Sequence, residues 1–398
     1  MVNCGSSTVK YVLLNMNDST ENQVIAKGLV ERIGIPGSRI DYKTDHQVSY
    51  SKERKVPNHR VALEWIVEVM TDPKIGVIKS PSEIDAVGHR VVHGGEKFTA
   101  SIGIDGEVLK AIRACAELAP LHNPPNISGI EACQALMPQA PQVAVFDTAF
   151  HGTIPEYAYI YAIPYEYYEK YGIRRYGFHG TSHRYVTERA AKMMGKNLSE
   201  LRLITCHMGS GVSFTAIKNG KSIDTSMGFT PLEGLVMGTR CGDLDPYILL
   251  YLMEKEGLST KEMDQILNKK SGVVGISGLS SDTRDIEDAA PSNHRAQLTL
   301  DIIAYRAKKY IGSFYAILGD LDGIVFTAGI GENSSYIRRA ICEDLEPLGI
   351  SIDKEKNMVR RKEAFINSDQ SRVKLMVIPT NEELMIALDT YRLVHTME

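Results

Sequence analysis

One pattern occurs twice, half a chain apart, and it limits what this sequence can fold into. Residues 201–213 read LRLITCHMGSGVS: an apolar run, His207, the turn Gly209-Ser210-Gly211, then a second alternating run through Phe214 and Ile217. Near the other end, Val2-Asn3-Cys4-Gly5-Ser6-Ser7 precedes Val9-Lys10-Tyr11-Val12-Leu13-Leu14, so that Asn3 aligns with His207 and Gly5 with Gly209. Apolar alternation on both sides of a short glycine turn predicts a β-hairpin whose backbone N–H groups converge on one side, where a phosphate can sit. One Gly/Ser hairpin is commonplace; two at this separation predict a duplicated fold with two phosphate loops. The first copy has only Met1 and Val2 ahead of Asn3, fewer apolar residues than a buried strand needs, so a frayed strand or an upstream start is expected.

The rest of the chain supplies the parts of an α/β protein. Asn58 is placed to cap an amphipathic helix, Ser182 to cap one closed by Gly195, and Ser259 with Glu262 forms a capping box. The periodicity also predicts helices over 127–136 and 296–318. Several apolar strands run into polar clusters, at His89-Arg90, Asp147, His207, Gly329 to Glu332 and Asn381-Glu382. Ligands in open α/β sheets bind beyond the carboxyl ends of strands, so these clusters are expected to converge. Residues 224–246 form a glycine-punctuated segment without periodicity that ends near Arg240, and loops of this length within a domain are generally functional. Arg90 and Arg240 offer planar, permanently charged forks suited to a carboxylate and a phosphoryl group. The domain boundary is expected between 198 and 199, with the C-terminal helix returning to the first domain.

Composition narrows the partners. With 398 residues there is room for two or three domains, and 43% hydrophobic residues, 24% charged residues and a net charge of -4 are ordinary values. The basic residues are dispersed, which argues against nucleic acid. No apolar run approaches the roughly 18 residues of a membrane span, and no signal-peptide core is visible. A cytoplasmic location is expected. The six cysteines form no C-x-x-C pair, so free thiols are expected instead of disulfides or zinc.

Taken together, these motifs resemble the acetate kinase family, within the superfamily of acetate and sugar kinases, heat-shock chaperones and actin. The matching segments are Asn3-x-Gly-Ser-Ser, GHRVVHGG at 88–95, PLHNPPN at 120–126, VFDTAFH at 145–151, YGFHGTSH at 176–183, GFTPLEGLVMGTRCGDLDP at 228–246, FTAGIGEN at 326–333 and PTNEE at 379–383. The resemblance implies duplicated ribonuclease H-like (actin-like ATPase) domains flanking a nucleotide cleft. It also implies reversible transfer of the ATP γ-phosphoryl group to acetate, with magnesium, for which manganese substitutes, as cofactor.

Carried over by residue, the resemblance gives Asn3 and Glu382 as the metal site, and Asp147, His179 and Arg240 as catalytic residues. Arg90 and His122 fall at substrate-binding positions, with Val92, Leu121, Phe178 and Pro231 lining the methyl pocket. Lys10, His207, Met208, Gly209, Ser210 and Gly211 contact phosphates, while Asp282, Thr283, Arg284, Gly329, Ile330, Gly331, Glu332 and Asn333 bind the rest of ATP. Thr8 stands where the family usually has a serine, and Ser210 where it usually has asparagine. The family usually forms homodimers, and here helix 127–136 or the long helix at 296 is expected to supply the interface.

Acid–base chemistry modifies one of these roles. A carboxylate nucleophile with a pKa of about 4 to 5 is already ionised at neutral pH, so Asp147 is expected to position magnesium or its waters and not to abstract a proton. Three rivals are distinguishable. A propionate kinase shares nearly every motif, but Val92 leaves less room than alanine beside the substrate methyl. A nucleotide-switched binding protein would have no use for Arg90, His179 and Arg240. A sugar kinase needs a base for a neutral hydroxyl, not paired arginines.

Overall fold

The alternating runs become two sheets with a shared strand order. The computed structural model describes residues 1–16, 22–119 and 122–397. Its first sheet contains β1 (Val2–Cys4), β2 (Thr8–Asn15), β3 (Gln23–Glu31), β4 (Arg39–Thr44), β5 (Ser49–Glu53), β6 (Val87–Val91), β7 (Ile102–Gly103) and β8 (Gln142–Phe146), in the order β5-β4-β3-β2-β1-β6-β8-β7. The second contains β9 (Arg202–Met208), β10 (Val212–Lys218), β11 (Lys221–Thr225), β12 (Gly323–Thr327), β13 (Ala364–Phe365) and β14 (Lys374–Val377), in the order β11-β10-β9-β12-β14-β13. Without the edge strands β4, β5, β7 and β13, each sheet is a three-stranded antiparallel meander followed by two strands parallel to its first strand. This is the duplicated ribonuclease H-like fold. Short as it is, β1 is held on both sides, by β2 and by a Val2–His89 pairing with β6.

The chain divides into two compact units, Met1–Phe150 with Asn381–Glu398, and His151–Thr380. This departs from the expected boundary at 198/199. Residues 151–198 belong to the second unit because helix Gly180–Met194 packs on β9 and β12. The last helix, Glu382–Met397, packs on β6 and β8 of the first unit. A Cβ at Gly88 would lie 2.2 Å from Thr390 Oγ1, so that helix can seat on β6 only over a glycine.

Each sheet is covered on both faces. In the first unit, Leu63, Trp65 and Ile66 of helix His59–Met70 join Val9, Tyr11, Val30 and Tyr42 in one core. Beyond it Phe98 stacks on Phe146 with ring centroids 4.7 Å apart, while Val143 and Val145 meet Ile386 of the last helix. In the second unit β12 is buried along its length, between helices Gly180–Met194 and His294–Leu318 that cover this sheet. Burial on both faces is why its sequence, Gly-Ile-Val-Phe-Thr, does not alternate.

Helix ends follow the capping chemistry, with one exception. Asn58 Oδ1 accepts from Val61 N–H at 3.0 Å, and Ser259 with Glu262 forms the expected box. Pro124 and Pro125 sit in the first turn of helix Asn123–Leu136, where a missing N–H costs nothing. Ser182 is the exception: its helix already begins at Gly180, and its hydroxyl is engaged by His207 and Thr380 instead. No helix among the described residues is long and apolar enough to cross a membrane.

His89, His93 and His151 are buried, and burial holds each down from 6.5 to about 4. Between those values the unfolded chain binds more protons than the folded one, so stability is full above the upper value and is lost as pH falls toward the lower. The thermal unfolding midpoint is therefore expected to drop across that window, which circular dichroism melts at stepped pH would show; a midpoint constant throughout it would contradict the burial of neutral imidazoles.

Candidate active site

The parallel register of β6 and β8 sets Val91 beside Phe146, so the residues around these strand ends share one edge of the first sheet. Arg90 Nε donates to Asp147 Oδ1 at 3.0 Å, and Nη2 donates to Oδ2 of the same carboxylate, a bidentate pair. Asp147 is only 1% exposed, and its N–H donates to Val91 O at 3.0 Å. Burial disfavours the Arg90 charge, but Asp147, Glu382 and Glu383 more than offset this and hold the guanidinium above its ordinary value.

Glu382, at the start of the last helix, is pushed up to about 7, by burial first and then by the charges of Asp147 and Glu383, against the pull of Arg90 and Lys10. Its Oε1 is buried with no hydrogen-bond partner among the described residues. Lys10 lies opposite Asn3 across the hairpin and donates to Glu383 Oε1. Among the described residues no group of three or more His, Cys, Asp or Glu is arranged to hold a metal ion. Magnesium needs fewer, since it keeps several waters and takes one or two carboxylates together with phosphate oxygens. An unpartnered buried oxygen of Glu382, in a charge cluster with Asp147 and beside the hairpin bearing Asn3, fits that requirement.

The segment after β6 is pinned by two asparagines to which sequence reading gave no role. Asn126 Oδ1 accepts from Val92 N–H at 3.0 Å, while its Nδ2 donates to Cys4 O at 2.7 Å. Asn123 Oδ1 accepts from His93 N–H at 3.1 Å and its Nδ2 donates to His93 O at 3.0 Å. Their spacing of three on one helical turn was the available signal, because it puts both amides on one face. Val92 is buried, His122 is exposed just ahead of that helix, and Leu121 lies outside the described residues.

In the second unit the β9–β10 turn closes with Gly209 N–H donating to Gly211 O at 3.0 Å. His207 pairs with Ser213 across the hairpin, and its Nδ1 lies 2.8 Å from Ser182 Oγ. His179 adopts the left-handed conformation, φ 56 and ψ 24, immediately before helix Gly180–Met194, which stacks its ring on His207 with centroids 4.0 Å apart. A Cβ at Gly211 would lie 2.7 Å from Arg240 Nη2 and 3.4 Å from His179 Nε2, so Arg240 and His179 both press against the phosphate loop. Arg240 Nη1 donates to Pro231 O at 2.6 Å. Burial lowers its pKa, and no carboxylate lies within ion-pair distance of it among the described residues.

The glycine-rich segment is held without helix or strand by groups the sequence did not single out. Arg175 donates to Thr225 O at 2.9 Å, Met227 O at 3.1 Å and Glu233 Oε1 at 2.6 Å. Asp243 accepts from Gly234 N–H at 2.8 Å and from the Tyr310 hydroxyl at 2.6 Å. Phe178 is buried, and its carbonyl lies 2.9 Å from His151 Nε2.

Gly329 to Asn333 lie in a short helix, Ala328–Asn333, and Glu332 Oε1 accepts from Thr380 N–H at 3.2 Å. Asp282 caps helix Thr283–Ala289, and the Arg284 side chain folds back onto it. A small cavity of about 20 Å³ brings Met208, Gly209, Thr283 and Ile330 to one lining. The β9–β10 turn and both segments expected to bind nucleotide thus meet there.

Gly211→Ala is expected to fold normally, since its backbone needs no left-handed angle, yet to reduce kcat at least tenfold by pushing the Arg240 and His179 tips away. Steady-state kinetics beside a melting curve would check this; unchanged kcat would mean that this approach is incidental.

The sequence profile of the acetokinase family matches residues 1–388. An acetate kinase of Caldanaerobacter subterraneus subsp. tengcongensis is 60% identical over 396 residues, covering 99% of this chain and 98% of that protein. The crystal structure of the Porphyromonas gingivalis acetate kinase superposes with a TM-score of 0.94 at 50% identity, covering 99% and 98% of the two chains. A propionate kinase from Francisella tularensis subsp. tularensis SCHU S4 superposes with a TM-score of 0.90 at 45% identity, covering 98% of each chain.

Proposed function

The chain belongs to the acetokinase family, and on that footing we propose how its residues divide the work of phosphorylating a carboxylate. The reaction is the reversible transfer of the ATP γ-phosphoryl group to acetate, giving acetyl phosphate and ADP. Both reactants are anions, and the acceptor needs no base, so the barrier is set by bringing like charges together and by the charge that spreads over the transferring group. The observation that carries the reading is Arg240: half-buried, oriented by Pro231 O, pressed against the 207–211 turn and with no carboxylate partner among the described residues.

In this reading Arg240 and His179 donate to the oxygens of the transferring phosphoryl, and the 207–211 turn cradles the phosphates through backbone N–H groups. Lys10 contacts a phosphate from the first hairpin, and the segments 282–284 and 329–333 take the adenosine. Arg90 binds the acetate carboxylate with the N–H groups that Asp147 leaves available, and Val92 limits the room beside the small acyl group. Magnesium, or manganese in its place, would be held by Glu382 and Asn3 with Asp147 reaching it through waters, and would neutralise phosphate charge. Asp147 meanwhile keeps the Arg90 fork aligned.

Val92 favours acetate over propionate, though one methylene is worth only about 1 to 3 kcal/mol. We place the enzyme in the cytoplasm. It acts as a homodimer, and helix Tyr247–Glu256 offers a better interface than helix Asn123–Leu136. Helix Asn123–Leu136 buries Ile127, Ile130 and Cys133 within its own unit. Helix Tyr247–Glu256, YILLYLMEKE, buries no residue and leaves Tyr247, Leu250 and Tyr251 more than half exposed, an apolar face of the kind that a second subunit covers.

Hydroxylamine trapping of the acyl phosphate with magnesium and ATP is expected to proceed fastest on acetate, then propionate; the reverse order would assign the chain to propionate. Arg240→Ala should lower kcat by about 10²–10³-fold, and an effect confined to the KM for ATP would refute its role. Leu250→Glu with Tyr251→Glu should yield monomers by light scattering, whereas a dimer surviving both changes would move the interface elsewhere.

A further inference from the structure

Behind His179 lies a row of buried polar groups that the reaction does not touch. Ser213 Oγ, on β10, is 2.8 Å from His179 Nδ1 and 2.7 Å from His183 Nε2. On its other side, His183 Nδ1 is 2.7 Å from Thr205 Oγ1, on β9. Thr205, Ser213 and His183 are all wholly buried. From these contacts we propose that Thr205, His183 and Ser213 form a directed hydrogen-bond relay that fixes His179 with its proton on Nε2, and that all three are positioning residues for phosphoryl transfer.

The direction follows from counting protons. His183 is neutral, held well below its ordinary value by burial and by the neighbouring His151 and His207, so it offers one donor and one acceptor. Two arrangements are self-consistent. In one, Thr205 O–H donates to His183 Nδ1, His183 Nε2–H donates to Ser213, and Ser213 O–H donates to His179 Nδ1. In the other every bond is reversed, and the neutral His179 carries its proton on Nδ1.

Thr205 decides between them. His183 is the only hydrogen-bond partner of its hydroxyl among the described residues. If His183 donated to Thr205, the threonine proton would be buried with no acceptor, which costs about 1–3 kcal/mol. The first arrangement gives the protons of Thr205, His183 and Ser213 an acceptor each. It makes Nδ1 of His179 an acceptor and sends the remaining proton out on Nε2, the ring edge that faces Gly211 and the phosphate loop. An N–H donor aimed at that loop is what a developing phosphoryl charge requires.

The inference rests on the role given to His179 above, and the experiment separates the two. In protein labelled with ¹⁵N-histidine, the His179 ring signals are those missing from His179→Asn. They are expected to show a bare Nδ1 and a protonated Nε2. Ser213→Ala should turn this into a mixture of tautomers and lower kcat about 10- to 100-fold with both KM values kept within about twofold. Thr205→Val, which touches neither substrate nor His179, should shift the tautomer in the same sense with a smaller loss in kcat, and Thr205→Ser should restore both. A wild-type His179 protonated on Nδ1 would overturn the relay. So would unchanged tautomer and kcat in Ser213→Ala and Thr205→Val while His179→Asn abolishes turnover. If His179→Asn itself keeps full kcat, the role of His179 falls and the relay loses its purpose with it.

Discussion

The ion pair between Arg90 and Asp147 is the interaction on which the first unit's site depends. A carboxylate and a guanidinium taken out of water are tolerated only with good geometry and further partners, and losing one member leaves a buried charge uncompensated. Here the parallel register of β6 and β8 sets the geometry, and the Asp147 N–H bond to Val91 O fixes the turn. Around this pair the charges do not cancel: Arg90 and Lys10 face Asp147, Glu382 and Glu383. The second unit has the opposite imbalance, a half-buried Arg240 with no acidic partner among the described residues. The first unit thus gathers carboxylates at its site, while the second holds a cationic side chain without an acidic partner.

Two of the seven non-glycine residues with positive φ among the described residues lie at the candidate site. His179 and Ala328 both take positive φ, 56 and 63, directly at the start of helices that follow the phosphate-side strands or loops. Non-glycine residues hold such angles only when their surroundings insist on it, and the cost is of the order of 1–3 kcal/mol each. For His179 the insistence is visible: its ring is stacked on His207 and hydrogen-bonded to Ser213, so the helix cannot relax without dragging the imidazole off the loop.

Much of this was legible in the sequence, for reasons that are local. The two glycine hairpins, the caps at Asn58 and Ser259 and the buried strand at Gly323 each depend on neighbours within a few residues. The boundary at 198 was misread because the helix closed by Gly195 resembles a domain's last element, whereas its partners, β9 and β12, come later in the chain. Ser182 was misread because a serine near a helix start looks like a cap unless His207 is known to be beside it. The Arg90–Asp147 pair spans 57 positions and the Asn126–Cys4 bond 122, distances over which no periodicity speaks. Only the motif around Asn123 and Asn126 hinted that those amides mattered, and it did not say for what.

The seating of helix Glu382–Met397 on Gly88 of β6 has a consequence for how the molecule is made. Synthesis runs from the amino end, so β6 and β8 emerge more than two hundred residues before the helix that covers them, and the whole of His151–Thr380 is translated in between. During that interval Val143 and Val145 lack Ile386, and the Arg90–Asp147 pair lacks Glu382. The first unit is begun before the second and completed only after it, so the emergence of helix Glu382–Met397, and not that of its own strands, is the moment at which its site can assemble.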